Sequence, residues 1–348
     1  MPDDLRGWAA ERAPELLARA EAEAVEELKR ALLDAATSAG RTQAVIDVRS
    51  PTAKAPAPRR SARRAPIRPE RTSRKPAPAG DALWTYCVLR APGEIPDAPH
   101  GVHPDGGVEA VQHDSLVALV SRVPLAEFGE DALHRNLNDL EWLERVARAH
   151  EAVLDAALGA ATIVPLPMCT IWESEEGVRR MLVSERAEIA EALDRLDGRQ
   201  EWGVKLVVDP AALRTAARAR SDEAAALEEE LEARGGGGGG YMVRRRLERH
   251  LREVADALAE ELAEDVHARL QDWATDAVTS PPQNRELSGH EGEMLLNGAY
   301  LVETDRVERM HELVAELANR HRDLGARLEL TGPWPPYNFV QRSSAAVP

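Results

Sequence analysis

The chain has 348 residues, a formal net charge of −16 and an ordinary 43% of hydrophobic residues. That length suits two domains of about 100–200 residues plus extensions. The acidity excludes nucleic acid as the main partner, because phosphate contacts need a basic surface.

Two cysteines, Cys87 and Cys169, cannot make a disulfide framework or a four-cysteine zinc site. No run approaches the ~18 apolar residues of a membrane helix, so no membrane insertion is expected. The opening MPDDLRGWAAER lacks the basic start and apolar core of a signal peptide. A cytoplasmic protein with reduced thiols is expected. Arginine outnumbers lysine by roughly tenfold, a genomic skew that says little about bidentate recognition.

Residues 8–36 carry Leu16, Leu17, Val25, Leu28, Leu32 and Leu33 near three- and four-residue spacing, which predicts an amphipathic helix. It reads as a solvated helix packing on something, or as a docking helix for a partner. Residues 51–80 are rich in Pro, Ala and Arg, with Glu70 as the one acid. Their net charge is about +8, against roughly −20 for the chain beyond them. They read as a disordered spacer, or as a strip attaching to an acidic surface.

From Leu83 the pattern becomes that of a folded body. LWTYCVLR reads as a strand, and VEAVQHDSLVALVSRVP as a hairpin turning near His113, Asp114 and Ser115. Residues 137–158 are helical, TIVPLPMCTIW is a strand broken by Pro165 and Pro167, and residues 175–196 form another helix. EWGVKLVVD is a strand closing this unit, a small sandwich with helices on one sheet face. Residues 211–233 and 241–278 are helical, with the glycine run 235–240 as a hinge between them. MLLNGAYLVE is a strand, Thr304 N-caps a helix to Leu324, and ARLELTG is the last strand.

Catalytic patterns are sparse. His290-Glu291 lacks a following Pro-Cys-x-x-Cys. His311-Glu312 lacks a second His four residues after the first. Both read as surface residues. His150, on an apolar helical stripe, reads as a satisfied core histidine. No Gly-x-Ser-x-Gly elbow, dinucleotide fingerprint or Walker motif is present. Cys87 and Cys169 fall in expected strands and read as small hydrophobes. Asp139 and Glu141 sit on a charged helix face. An enzyme on paired ferredoxin-like domains is the disfavoured alternative; a general scaffold or chaperone-like binder is the nearer one.

The end of the body, TGPWPPYNFV, gathers Trp334, Tyr337 and Phe339 in a chain with few aromatics. This segment resembles the C-terminal signature of the gas vesicle GvpL/GvpF family. RAHEAVLDAAL, TIVPLPMCTIW, EWGVKLVVD, YMVRRRLERHL and MLLNGAYLVE are similar to other family segments, in the same order. In the broken strand Pro167, Met168 and Cys169 replace an Arg-Phe-Gly middle, so roles of that Arg or Phe do not transfer.

The resemblance covers about residues 83–340 and implies two small α/β-sandwich domains, the C-terminal one ferredoxin-like; with the helix and disordered linker read from the residues ahead of it, the expected chain is α+β. The expected divisions are an N-terminal helical extension at 1–40, a linker at 41–80 and an N-terminal domain at 81–210. A helix with a Gly-rich hinge at 211–240 and a C-terminal domain at 241–340 complete them. The implied role is a non-enzymatic accessory or minor structural protein of gas vesicles, without cofactor or catalytic residues. Its implied partners are the main shell protein and other gas vesicle accessory proteins.

Trp334, Pro335, Pro336, Tyr337 and Phe339 are the candidate contact residues. The prolines predict a stiff arm leaving the last strand. Its rings either staple the tail onto its own domain or the interdomain face, or form a partner-facing patch.

Overall fold

A computed structural model describes residues 80–91, 100–234, 238–281 and 292–340. The helix expected within 1–40 and all of the expected linker except Gly80 lie outside them, as do His290-Glu291 and Gly235–Gly237 of the glycine run.

Strand β1 (Asp81–Arg90) begins the body, followed by the hairpin β2 (Val108–His113) and β3 (Leu116–Pro124). The hairpin turns through Asp114 and Ser115, with Asp114 at φ 49°, where a short polar side chain tolerates the left-handed region. Short helices α1 (Leu125–Phe128) and α2 (Glu130–Asn136) lead to α3 (Leu140–Leu158). Asp139 caps α3 by accepting from the amides of Glu141 and Trp142, so this residue of the charged face has a local structural task. Then come β4 (Ile163–Pro165) and β5 (Ile171–Trp172), the two halves of the broken strand.

The helix expected over 175–196 is two, α4 (Glu175–Ser184) and α5 (Arg186–Leu196). They meet at Glu185, whose ψ of 9° leaves the helical range. The first sheet runs β2-β3-β1-β4, with β5 also on β1.

Helices cover both faces of this sheet, not one. Trp84 and Tyr86 pack with Phe128, Leu143 and Leu154, while Leu83, Val88 and Val120 pack with Met181, Leu182 and Leu193. Alternation lets β1 serve both layers, and the register shift between Thr85 and Cys87 reverses its parity, so Trp84 and Tyr86 before it and Leu89 after it reach the same core. Its nearly unbroken burial follows from this position.

Next is β6 (Arg199–Val208), then α6 (Pro210–Arg220), α7 (Asp222–Arg234) and the long α8 (Gly238–Trp273). Gly238–Gly240 thus begin a helix, which narrows the expected hinge. Strands β7 (Asp276–Ser280) and β8 (Glu293–Glu303), helix α9 (Val307–Arg320) and β9 (Ala326–Trp334) complete the body. Thr304 does not cap α9. It opens a 3-10 turn, and its hydroxyl donates to the Gly198 carbonyl.

The second sheet is ordered β7-β8-β6-β9. With helices after the first and third strands, this is a β-α-β-β-α-β ferredoxin-like arrangement. The division expected at residue 210 puts β6 in the first unit. Its ladders to β8 and β9 make it a central strand of the second sheet. Pairing across about 100 residues of sequence leaves no local mark on a strand. β7 was likewise expected as the end of a helix. The helix stops at Trp273, and the short, largely exposed β7 forms the sheet edge.

Trp202, Val204, Leu206, Tyr300 and Val302 face the helices α8 and α9. Leu301, between Tyr300 and Val302, joins the cluster containing Ile189, Leu193 and Leu196 of α5. The two units therefore share an apolar seam.

Candidate functional site: the C-terminal tail and the seam

The tail begins inside β9. The register against β6 shifts between Glu201 and Gly203, so that Trp334 lies opposite Glu201 and Thr331 opposite Gly203. Gly332 has φ 139°, a backbone open to glycine and strained for other residues, and the Gly332–Pro333 bond is cis. The Trp334 indole donates to the Thr331 hydroxyl at 3.0 Å. A Cβ at Gly203 would lie 2.8 Å from that hydroxyl and 3.4 Å from the indole nitrogen, so glycine makes room for this fold-back.

The expected stiff arm is absent. Pairing continues through Trp334, buried Pro335 and Pro336 follow, and Tyr337–Phe339 form a 3-10 turn lying against the first unit.

Tyr337, Asn338, Phe339 and Val340 each meet a specific partner outside the tail. Asn338 donates from its backbone and side-chain amides to the Glu201 carboxylate, at 3.1 and 2.7 Å. Glu201 is itself buried. Phe339 is 2% exposed and joins the core cluster of Val88, Val120 and Leu193. Arg195 donates from Nε and Nη2 to the Phe339 carbonyl, and from Nη2 to that of Val340. This planar fork suits two adjacent carbonyls. Tyr337 is 39% exposed; its hydroxyl lies 3.2 Å from His150 Nε2 and donates to Glu151.

His150 sits below this hydroxyl, buried on α3 and stacked on Tyr86 at a 5.3 Å centroid distance. The Trp84 indole donates to its Nδ1 at 3.0 Å. An indole N–H can only donate, so Nδ1 is the acceptor and the neutral ring carries its proton on Nε2, facing Tyr337. Burial holds its pKa down at about 3. The order is therefore Trp84 to His150 to Tyr337 to Glu151, a hydrogen-bond chain from the first core to the surface.

Other sequence candidates lie elsewhere. Cys87 is fully buried in β1, and burial pushes its thiol far up from the ordinary range. Cys169 is not in a strand. It lies between β4 and β5 at φ 69°. His311 packs edge-on against Trp202, at 5.0 Å between centroids. Arg195 and Glu201 had no distinguishing signal in sequence. One looks like a solvated helix residue and the other like the polar start of a strand.

The two sheets and the tail coincide with a stretch found in other proteins. The profile of the family described as gas vesicle synthesis protein GvpL/GvpF matches residues 82–341. The chain belongs to the GvpL/GvpF family. Gas vesicle protein L of a Streptomyces species is 37% identical over 260 residues, covering 74% of this chain and 92% of the relative. Gas vesicle protein L1 of Halobacterium salinarum is 23% identical over 292 residues, covering 80% and 97%.

Two crystal structures of GvpF have the same fold. The Anabaena protein superposes with a TM-score of 0.57 at 19% identity, covering 76% of this chain and 100% of that one. The Microcystis aeruginosa protein gives 0.53 at 16%, covering 75% and 99%. Membership in the GvpL/GvpF family gives the chain a gas-vesicle-associated role. No helix among the described residues is long and apolar enough to cross a membrane.

Proposed function

We infer that this chain is a non-enzymatic accessory or minor structural protein of gas vesicles, which binds the main shell protein and supports vesicle nucleation or growth in the cytoplasm. The observation that carries this reading is the family match, which spans both sheets and the tail. Shell subunits that expose hydrophobic strands before polymerising need a partner that holds those edges apart.

The tail rings are engaged within the molecule, which favours a sheet edge over an aromatic-proline patch as the contact. Strand β2 ends the first sheet and, among the described strands, pairs only with β3. Its outer backbone groups fit an added strand. Co-expression with the main shell protein, followed by pull-down, tests the reading. Recovery of the pair is expected. Failure with folded protein, for every shell homologue of the same host, would overturn it.

A further inference from the structure

The first turns of α8 present an unusual outer face. Tyr241 and Met242 are large, apolar and 59% and 66% exposed. Successive residues turn by about 100°, so Arg245, Arg249 and Arg252 project within the same quadrant as these two. All three arginines are exposed. Among the described residues Arg245 makes no ion pair, Arg249 reaches Glu253 only at 3.9 Å, and Arg252 donates to the Glu248 carbonyl. The opposite face holds Val243, Leu247 and Leu251 in the core with α7. The outer face thus combines an aromatic, a methionine and arginines, the residues enriched where proteins meet.

The same chain carries a complementary segment. Residues 8–36, which lie outside the described residues, have the leucine stripe of an amphipathic helix and a net charge of about −3. The family match begins only at residue 82. We propose that residues 8–36 dock as a helix on the Tyr241, Met242 and Arg245 face of α8. The leucine stripe covers the two apolar side chains, and Glu residues of the segment meet the arginines.

The intervening residues 37–79 allow it. Proline-rich chain extends by about 3.1 Å per residue, so these residues span up to roughly 130 Å. A compact body of about 260 residues, with a radius of gyration of roughly 18 Å, is narrower than that reach. The tether also makes docking intramolecular, at an effective concentration that a free partner must exceed. A second copy of this face is a poor occupant, since its arginines would oppose arginines.

Hydrogen exchange of the full chain tests the proposal. In the unmodified chain, amides of 8–36 are expected to exchange about tenfold more slowly than in the Arg245→Glu/Arg249→Glu variant, at any protein concentration. Both substitutions are exposed, so the fold should persist, with the melting temperature lowered only by the lost docking. A Leu28→Asp/Leu32→Asp variant should in turn speed exchange at 241–249. Unchanged exchange of 8–36 in the double glutamate variant overturns the proposal. Slowing that grows with protein concentration also overturns it, and assigns the face to another copy.

Discussion

The Tyr337 hydroxyl and His150 Nε2 lie 3.2 Å apart, although 187 residues separate them in sequence. One belongs to the tail of the second unit and the other to the core of the first. The tail is therefore a strap across the seam, with Phe339 buried at its end.

His150 makes stability depend on pH. Its folded pKa of about 3 lies below the unfolded value near 6.5. Above pH 6.5 both states are neutral and the contribution is complete. As pH falls, the unfolded chain takes the proton first, so stability is lost between about 6.5 and 3, by up to about 1.4 kcal/mol per pH unit. Denaturant melts across this range should show the slope, and His150→Gln should flatten it. An equal slope in both proteins would refute the assignment.

Tyr337→Phe removes the hydroxyl that faces His150 and Glu151. The ring is partly exposed, so water can replace some of the loss, and a cost of about 1 kcal/mol is expected. A loss above roughly 3 kcal/mol would mean that the ring, rather than the hydroxyl, is being disturbed. Urea titration distinguishes the two.

Phe339→Ala should cost more, about 3–5 kcal/mol, since it empties a buried slot. The residue belongs to the tail, yet the damage is expected in the first unit. Hydrogen exchange should rise in β1, β3 and α5 as well as in the tail. Loosening confined to β8 and β9 would contradict the shared core.

Gly298→Ala probes the second sheet. A Cβ there would stand 2.7 Å from the Tyr300 ring, which folds back along β8. Tyr300 is fully buried and its hydroxyl meets His267 Nδ1 at 3.0 Å, so it has little room to move. Overpacking of this kind costs about 1–3 kcal/mol. A thermal melt unchanged from the parent would show that the ring yields freely.

The local elements were largely legible. The buried stripe of α3, the hairpin turn at Asp114 and Ser115, and the break at Pro165 and Pro167 are written in nearest-neighbour chemistry. The sheet to which β6 belongs was not, because its partners are distant in sequence. Nor was the destination of the tail. Proline spacing announced a fixed path but not its direction, which depends on Arg195, Glu201 and the register shift at Gly203. The family resemblance supplied the two-domain fold, while the sharing of Phe339 and Leu301 between units emerges only in three dimensions.

The burial of Phe339 beside Val88 and Val120 has a consequence during synthesis. The first unit is made early, but one of its core side chains is translated about 250 residues after β1. At about 5–20 residues per second, the slot, complete once α5 has been made, still waits roughly 7–29 s for its occupant. Through that interval the nascent chain carries an open apolar notch, and anything fused or trimmed at the far end of the chain acts on the half that left the ribosome first.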